Sequence, residues 1–216
     1  MTLLYLVRHG ETDWNRTRRI QGSTDIPLND TGRAQAVRTG MLLARRSWDA
    51  IASSPLSRAT ETALLIGRAI GIEDIEIIDA IAERHYGEAE GLDDHELFRL
   101  FPGDTPVPGR ETRELVAARV IPALINFAEQ HAGKNLIVTT HGGVIRTVLN
   151  AVAPDERRHR GIPITNGSVH SFRRVDGGLQ LIAFDDPIED DSVAEDGGDL
   201  DDQNAIEQRE SDRGGA

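Results

Sequence analysis

The chain has 216 residues, 38% of them hydrophobic, which is enough for one α/β domain with a substantial core. It has no cysteine, which excludes a disulfide framework and thiol catalysis, and no apolar run approaches the ~18 residues of a membrane span. The net charge of −12 comes almost entirely from residues 185–216, which hold thirteen acidic residues against two arginines.

The first predicted element is a buried strand near residues 3–7, because Leu3 to Val7 is a continuous apolar run. Three further strands are predicted near residues 49–53, 75–78 and 135–140. Helical patterns alternate with these strands near residues 31–46, 57–70, 93–100 and 111–131. We expect Pro122 to kink or split the last of these helices. A closing hairpin is predicted from residues 168–174 and 179–184, across Asp176-Gly177-Gly178.

This alternation predicts an α/β fold, a three-layer sandwich with a mostly parallel central sheet and helices on both faces. We expect the catalytic domain to span residues 1–184, with a proline- and glycine-rich lid insertion over the strand ends at about 83–113. Residues 185–216 are acidic and poor in aromatic residues, so they are predicted to form a disordered tail. Met1 leads directly into a strand with no basic segment, so we expect no signal peptide and a cytoplasmic location.

Arginine and histidine follow the ends of two predicted strands. Arg8 and His9 come directly after the first strand, and His141 follows the fourth, with Arg146 a little further along. Because the carboxyl ends of parallel strands meet at one edge of a sheet, we expect these side chains to share a crevice. A third strand end leads into a helix with Arg58 in its first turn, where free N–H groups and the helix dipole favour an anion. These features predict an anion pocket, with phosphate as the leading ligand.

Five motifs cover roughly residues 3 to 172: Arg8 to Asn15, Gln21 to Leu28, Ser54 to Thr62, Glu83 to Leu92, and His141 to Gly143. Their order and residues resemble the histidine phosphatase superfamily, which includes cofactor-dependent phosphoglycerate mutases and many small phosphatases. An isolated Arg-His-Gly triplet would carry little weight, whereas the ordered set is very specific.

The resemblance implies a role for each principal residue. His9 is implied as the nucleophile that takes the phosphoryl group, because a neutral imidazole is nucleophilic near physiological pH. Arg8, Arg58 and His141 are implied as a clamp for the charge that spreads over the phosphoryl oxygens. Glu83 is implied as the group that protonates the leaving oxygen and then deprotonates the attacking water. The resemblance also implies a set of substrate-binding residues: Asn15, Gln21, Gly22, Arg84, Tyr86 and Gly142.

Two histidines and a glutamate are also standard zinc ligands, so a metal site is the main rival interpretation. The neighbouring arginines argue against it, since guanidinium groups repel a divalent cation and attract phosphate. The sequence has no His-Glu-x-x-His spacing, no Gly-x-x-x-x-Gly-Lys-Ser/Thr loop, and only one lysine, Lys134. We therefore expect neither a metal nor a cofactor.

The sequence gives mixed indications on whether the chain is a phosphatase or a mutase. Glu83 to Gly87 is similar to the mutase form of its motif. Arg19 to Gly22 instead resembles the phosphatase pattern, and Asp94 stands where mutases carry a substrate-binding lysine. The longer mutase insertion with paired arginines, between the Glu83 motif and His141, is also missing. We therefore favour a metal-independent phosphatase, with phosphoglycerate mutase as the alternative.

A phosphate-binding regulatory protein without turnover is a third hypothesis. It is less favoured because all five principal residues of the family pattern are present. We expect a small phosphorylated metabolite as the ligand, and neither nucleic acid nor a membrane as a partner. Whether the chain forms a homodimer stays open.

Overall fold

The computed structural model describes residues 1–154 and 161–188. Within them the strands are β1 (Leu3–Arg8), β2 (Ala50–Ser53), β3 (Ile75–Ile77), β4 (Asn135–Thr140), β5 (Val169–Val175) and β6 (Gly178–Ala183). The α-helices are α1 (Asp13–Arg16), α2 (Asp30–Leu43), α3 (Ser57–Ile70), α4 (Asp94–Leu100), α5 (Arg113–Gln130) and α6 (Gly142–Val152). Two short 3₁₀ turns cover Asp79–Ile81 and Gly87–Ala89.

The six strands form one sheet in the order β3-β2-β4-β1-β5-β6. Strands β1 to β4 are parallel, because a helix returns the chain to the same edge after each of β1, β2 and β3. β5 runs antiparallel to β1, and β6 pairs with β5 through the predicted hairpin, in which Gly177 has a φ of +83°. The predicted α/β fold with a mostly parallel sheet is confirmed.

Helices cover both faces of this sheet. On one face, α5 and α6 contribute Val120, Leu124 and Val148 to a core formed with β1 and β4. On the other face, α2 and α3 pack against each other, and Leu43 and Ile66 lie in a second buried cluster. The sheet therefore has a rigid layer on each side, and this fixes the positions of its strand ends.

Two local predictions need correction. The helix predicted over residues 31–46 ends at Leu43, whose carbonyl oxygen accepts a hydrogen bond from the indole N–H of Trp48 at 2.6 Å. α5 is not split at Pro122 and continues through it as one helix. Its residues Val120 and Leu124 are fully buried on either side of the proline, so tertiary packing offsets the lost hydrogen bond.

The residues predicted as a lid pack on the loop that follows β1. Ile20, Tyr86 and Ala89 form a third, small buried cluster, and Ile20 exchanges backbone hydrogen bonds with the chain at Gly91 and Leu92. This segment therefore lies at the carboxyl end of the sheet, where the motif residues collect.

The packed chain continues beyond residue 184, where we predicted the catalytic domain to end. The backbone N–H of Asp186 donates to Val169 at 2.7 Å, and Ile188 is buried in the cluster on the α2/α3 face. Residues 185–188 therefore belong to the folded body. The rest of the predicted acidic tail, residues 189–216, lies outside the described residues. No helix in the described part of the chain is long and apolar enough to cross a membrane.

Candidate active site

Three neighbouring strands bring the motif residues together. Arg8 of β1 pairs with Thr140 of β4, and Ser53 of β2 pairs with Thr139. The residues that follow these strands, His9, Ser54 and His141, therefore emerge side by side at the carboxyl edge of the sheet. The ring centroids of His9 and His141 lie 5.2 Å apart.

The His9 side chain is buried, and its tautomer is set by the backbone. His9 Nδ1 lies 2.7 Å from the carbonyl oxygen of Gly10, which can only accept, so Nδ1 carries the proton and donates it. In the neutral ring, Nε2 then keeps its lone pair. Burial, followed by the positive charges of Arg58 and Arg8, lowers the pKa of His9 well below 6.5. His9 is therefore a neutral base at physiological pH.

The loop after His9 is held by close backbone packing. A Cβ on Gly10 would lie 2.2 Å from the carbonyl oxygen of Gly32, at the start of α2, so only glycine fits there. The Gly10 N–H also donates to the Thr62 hydroxyl of α3 at 3.1 Å, and Asn166 Nδ2 donates to the His9 carbonyl at 2.9 Å. Two helices and the segment before β5 thus fix the position of His9.

Two buried guanidinium groups flank the histidines. Arg58 donates from Nη1 to the Thr24 carbonyl at 2.9 Å and from Nη2 to the Gly22 carbonyl at 2.8 Å. Arg8 Nη1 donates to the Ile164 carbonyl at 2.5 Å. Burial lowers the pKa of Arg58 to about 10, and the negative charge of Glu83 partly opposes this decrease. Arg58 therefore remains positively charged at neutral pH.

His141 is the residue that precedes α6. Its Nε2 lies 2.7 Å from the Ser54 hydroxyl. Burial and the charge of Arg58 lower the pKa of His141 well below 6.5. His141 Nδ1, Arg58 Nε and Gln21 Nε2 are buried nitrogens in this region without a hydrogen-bond partner among the described residues. Buried polar atoms are normally satisfied, so these nitrogens suit a ligand with acceptor oxygens.

Glu83 faces the first turn of α6. Its carboxylate accepts hydrogen bonds from the backbone N–H groups of Arg84 at 2.8 Å and Gly143 at 3.1 Å. A Cβ on Gly143 would lie 2.7 Å from Glu83 Oε1 and 3.1 Å from the Tyr86 hydroxyl oxygen, so glycine leaves room for both groups. Glu83 is almost fully buried.

The other residues predicted to bind substrate lie around this centre. Asn15 is buried on α1, and Gln21 accepts a hydrogen bond from the Thr12 hydroxyl at 2.9 Å. Arg84 lies over the Tyr86 ring at 5.3 Å, directly beside Glu83.

The glycines of the predicted binding set act through the backbone. Gly22 supplies a carbonyl to Arg58 at a φ of +56°. Gly142 is the first residue of α6, where helix N–H groups are open to an acceptor.

Arg146, which we expected close to Arg8, is buried on α6, and its Nη2 donates to the Ile162 carbonyl. It therefore supports the segment before β5. Arg8 donates to the same segment, at Ile164, and also acts electrostatically on both histidines.

Glu90 lies within the Glu83 to Leu92 motif, but the sequence analysis predicted no role for it. Its carboxylate accepts hydrogen bonds from the N–H and hydroxyl groups of both Ser23 and Thr24, at 2.6–3.2 Å, and from the Tyr86 N–H at 3.0 Å. Burial alone would raise the pKa of Glu90, but these hydrogen bonds hold it below the usual value. Glu90 thus fixes the loop whose carbonyl groups hold Arg58.

We expect Glu90→Gln to lower kcat/KM by roughly 10-fold for alkyl and aryl phosphates alike, because Arg58 would lose its alignment. An amide has one acceptor oxygen, so its NH₂ group would face a backbone N–H of Ser23 or Thr24. The matched control is Glu61→Gln, which removes an ion pair with Arg33 on the outer side of α3. Steady-state rates equal to those of the wild type in Glu90→Gln would contradict this prediction.

The lowered pKa values of the two histidines predict a pH-dependent stability. The unfolded chain binds more protons than the folded chain below about pH 6.5, so the free energy of unfolding should fall as the pH drops. Each histidine contributes up to about 1.4 kcal/mol per pH unit. Urea denaturation at several pH values between about 7 and 5 measures the slope of the free energy of unfolding against pH. In His141→Gln this slope should correspond to about one proton fewer taken up on unfolding. A slope that is the same in wild type and variant would show that His141 does not titrate in this way.

The donor set favours an anion over a metal ion. The two imidazoles lie between guanidinium groups, and no group of three or more His, Asp or Glu side chains within the described ranges is arranged to hold a metal. Neutral imidazoles, fixed positive charges and open helix N–H groups together can bind a phosphoryl group and stabilise its charge in a transition state.

Known proteins are similar to this chain in sequence. The sequence model of the histidine phosphatase superfamily (branch 1) matches residues 4–187. The uncharacterized phosphatase PhoE of Bacillus subtilis (strain 168) is 40% identical over 172 residues, 80% of this chain and 88% of that protein. The metal-independent phosphoserine phosphatase of Arabidopsis thaliana is 36% identical over 160 residues, 68% of this chain and 67% of its own length.

Solved structures are also similar to this chain. Bacillus stearothermophilus YhfR superposes with a TM-score of 0.78 at 30% identity, covering 88% of this chain and all of that one. Other similar proteins are named as phosphoglycerate mutases. Some of these similar proteins are thus named as phosphatases and others as mutases.

Proposed function

This chain belongs to the histidine phosphatase superfamily, and we propose that it hydrolyses small phosphate monoesters through a phosphohistidine on His9, without a metal ion. The observation that carries the proposal is the buried, neutral His9 ring. Its Nδ1 is engaged by the Gly10 carbonyl and its Nε2 keeps a lone pair between the charges of Arg8 and Arg58.

In the first step, His9 Nε2 forms a bond to phosphorus while the bond from phosphorus to the ester oxygen breaks. Glu83 gives its proton to that oxygen, so the alcohol leaves neutral. The N–H groups of Arg84 and Gly143 then stabilise the Glu83 carboxylate. In the second step, water attacks phosphorus, Glu83 takes a proton from it, the P–N bond breaks, and inorganic phosphate leaves.

The charge that spreads over the phosphoryl oxygens in both steps is offset by Arg8, Arg58 and the N–H of Gly142 at the start of α6. Because the two guanidinium groups are already fixed by hydrogen bonds to the Ile164, Gly22 and Thr24 carbonyls, they need little reorganisation during the reaction. The unpartnered His141 Nδ1 offers a further contact for the phosphoryl group.

The test is a rapid-quench reaction with ³²P-labelled aryl phosphate in excess over the enzyme, in the presence of EDTA. We expect a burst of phenol release, an acid-labile and alkali-stable protein label, and full activity with the chelator. A metal requirement, or an acid-stable label, would overturn the mechanism. A panel of phosphorylated metabolites, including phosphoserine, then ranks substrates by released phosphate.

A phosphoglycerate mutase is the second candidate, because Arg84 and Tyr86 stack beside Glu83 within a motif similar to that of mutases. Asp94 at the start of α4 argues against it, since a carboxylate there repels an acidic substrate. Incubation with 3-phosphoglycerate separates the two functions. Free phosphate supports the phosphatase, whereas 2-phosphoglycerate in excess of phosphate would identify a mutase.

A further inference from the structure

We propose that Arg119 and Glu111 are positioning residues that hold Glu83 in place for proton transfer. This inference rests on the proposed function, since it concerns the group assigned there as general acid. Neither residue belongs to a motif that the sequence pointed to. Glu111 lies just before α5, and Arg119 lies within that helix.

Arg119 binds the backbone that leads into Glu83. Its Nη1 donates to the carbonyl groups of Ala80 at 2.7 Å and Ala82 at 2.8 Å, and its Nη2 donates to the Glu83 carbonyl at 3.2 Å. One guanidinium group of α5 therefore anchors three carbonyls of the turn between β3 and Glu83. The Ile78 N–H of this turn donates to the Ser53 carbonyl of β2, and the Ile81 carbonyl accepts from the Thr140 hydroxyl of β4. The Arg119 bonds extend this support from the turn to Glu83 itself.

Glu111 completes the anchor from the other side. Arg119 donates to it from Nε at 2.8 Å and from Nη2 at 2.9 Å, so the pair is bidentate. Glu111 also accepts the His85 N–H on its carboxylate at 3.2 Å and the Arg84 Nε on its carbonyl at 2.7 Å. Its own N–H donates to the His85 carbonyl at 2.8 Å. Glu83 is thus held both before and after its own position in the chain.

Arg119 uses the whole planar guanidinium group for hydrogen bonding. Every N–H group of this guanidinium donates a hydrogen bond, either to the Glu111 carboxylate or to one of three backbone carbonyls. A lysine ammonium is a single point charge and cannot hold this set. The Arg119 and Glu111 side chains are mostly buried, at 26% and 13% exposure, so solvent competes weakly.

The consequence concerns proton transfer by Glu83 and not charge stabilisation. The carboxylate of Glu83 also accepts N–H groups from Arg84 and Gly143, so a displaced backbone would move the carboxyl group away from the leaving oxygen. The phosphate clamp stands on other supports, the loop at Gly22 and Thr24 and the segment at Ile164. Loss of the Arg119 anchor should therefore impair proton donation and leave charge stabilisation intact.

The experiment measures the phosphorylation rate, as the burst of leaving-group release, for phosphate esters whose alcohols span a wide range of pKa. We expect Arg119→Lys and Glu111→Gln to slow alkyl phosphates by about 10- to 100-fold, since misplacement of about 1 Å has effects of this size. Aryl phosphates with good leaving groups should be slowed less than about 3-fold, because they need little protonation. In a Glu83→Gln background, Arg119→Lys should add no further selective loss.

The matched control is Arg174→Lys, which alters another α5 ion pair, with Glu129 at 2.7 Å, far from the motif residues. It should leave both substrate classes unchanged, and thermal melting of each variant shows whether it is folded. If Arg119→Lys does not fold, Glu111→Gln provides the same comparison.

Equal losses for both substrate classes, or no loss, in the Arg119 and Glu111 variants would overturn the inference while Glu83→Gln stays selective. If Glu83→Gln itself shows no dependence on the leaving group, the acid role in the proposed function fails first. The two failures are therefore distinguishable.

Discussion

His9→Ala should lower kcat/KM by about 10⁴-fold or more and abolish the trapped protein label, because the variant has no nucleophile. We expect no substitution by His141, because the contact between its Nε2 and the Ser54 hydroxyl holds its ring at the neighbouring strand end. The measurements are steady-state rates with an aryl phosphate and acid-quenched ³²P labelling.

His9→Asn separates chemistry from packing, because an asparagine amide can still donate to the Gly10 carbonyl and fills part of the space. We expect it to be as inactive as His9→Ala and more stable. His131→Ala is the control, since that histidine is partly exposed and contacts Glu76 at 3.7 Å. Normal labelling in either His9 variant would show that another residue takes the phosphoryl group.

The parts of the site that could be predicted from sequence lie at the ends of strands. The apolar run of β1 ends at Arg8, and the run of β4 ends just before His141, so their shared edge follows from the parallel fold alone. Glu83 was identified through its motif, and the structure places it at the first turn of α6, with its carboxylate bonded to Gly143.

The supports of the site could not be predicted in this way. Arg119 and Glu83 are 36 residues apart, and their contact depends on how α5 packs across the turn after β3. Glu90 acts on Arg58 through its charge and through the carbonyl groups of a loop more than 60 residues earlier in the chain. Nothing in a local pattern of charges distinguishes these residues from exposed ion pairs such as Arg16 with Asp13.

Glu83→Gln should slow substrates with poor leaving groups by roughly 10²- to 10⁴-fold, as is typical when a general acid is removed. A glutamine cannot donate a proton to the leaving oxygen in the way a carboxylic acid does. It keeps the size of the side chain and an oxygen that can accept from the Arg84 or Gly143 N–H groups. Aryl phosphates with good leaving groups should be phosphorylated at nearly normal rates, so the dependence of the burst rate on leaving-group pKa becomes steeper.

Arg58→Ala gives the opposite pattern and serves as the contrast for Glu83→Gln. Its guanidinium lies close enough to His9 and His141 to lower both pKa values, and the charge it offsets develops with every substrate. We therefore expect alkyl and aryl phosphates to be slowed alike, by roughly 10²- to 10³-fold, the effect of removing one preorganised charge-stabilising donor. An equal loss across leaving groups in Glu83→Gln would assign Glu83 to phosphate positioning, since a group that only orients the phosphoryl oxygens acts the same way on every ester.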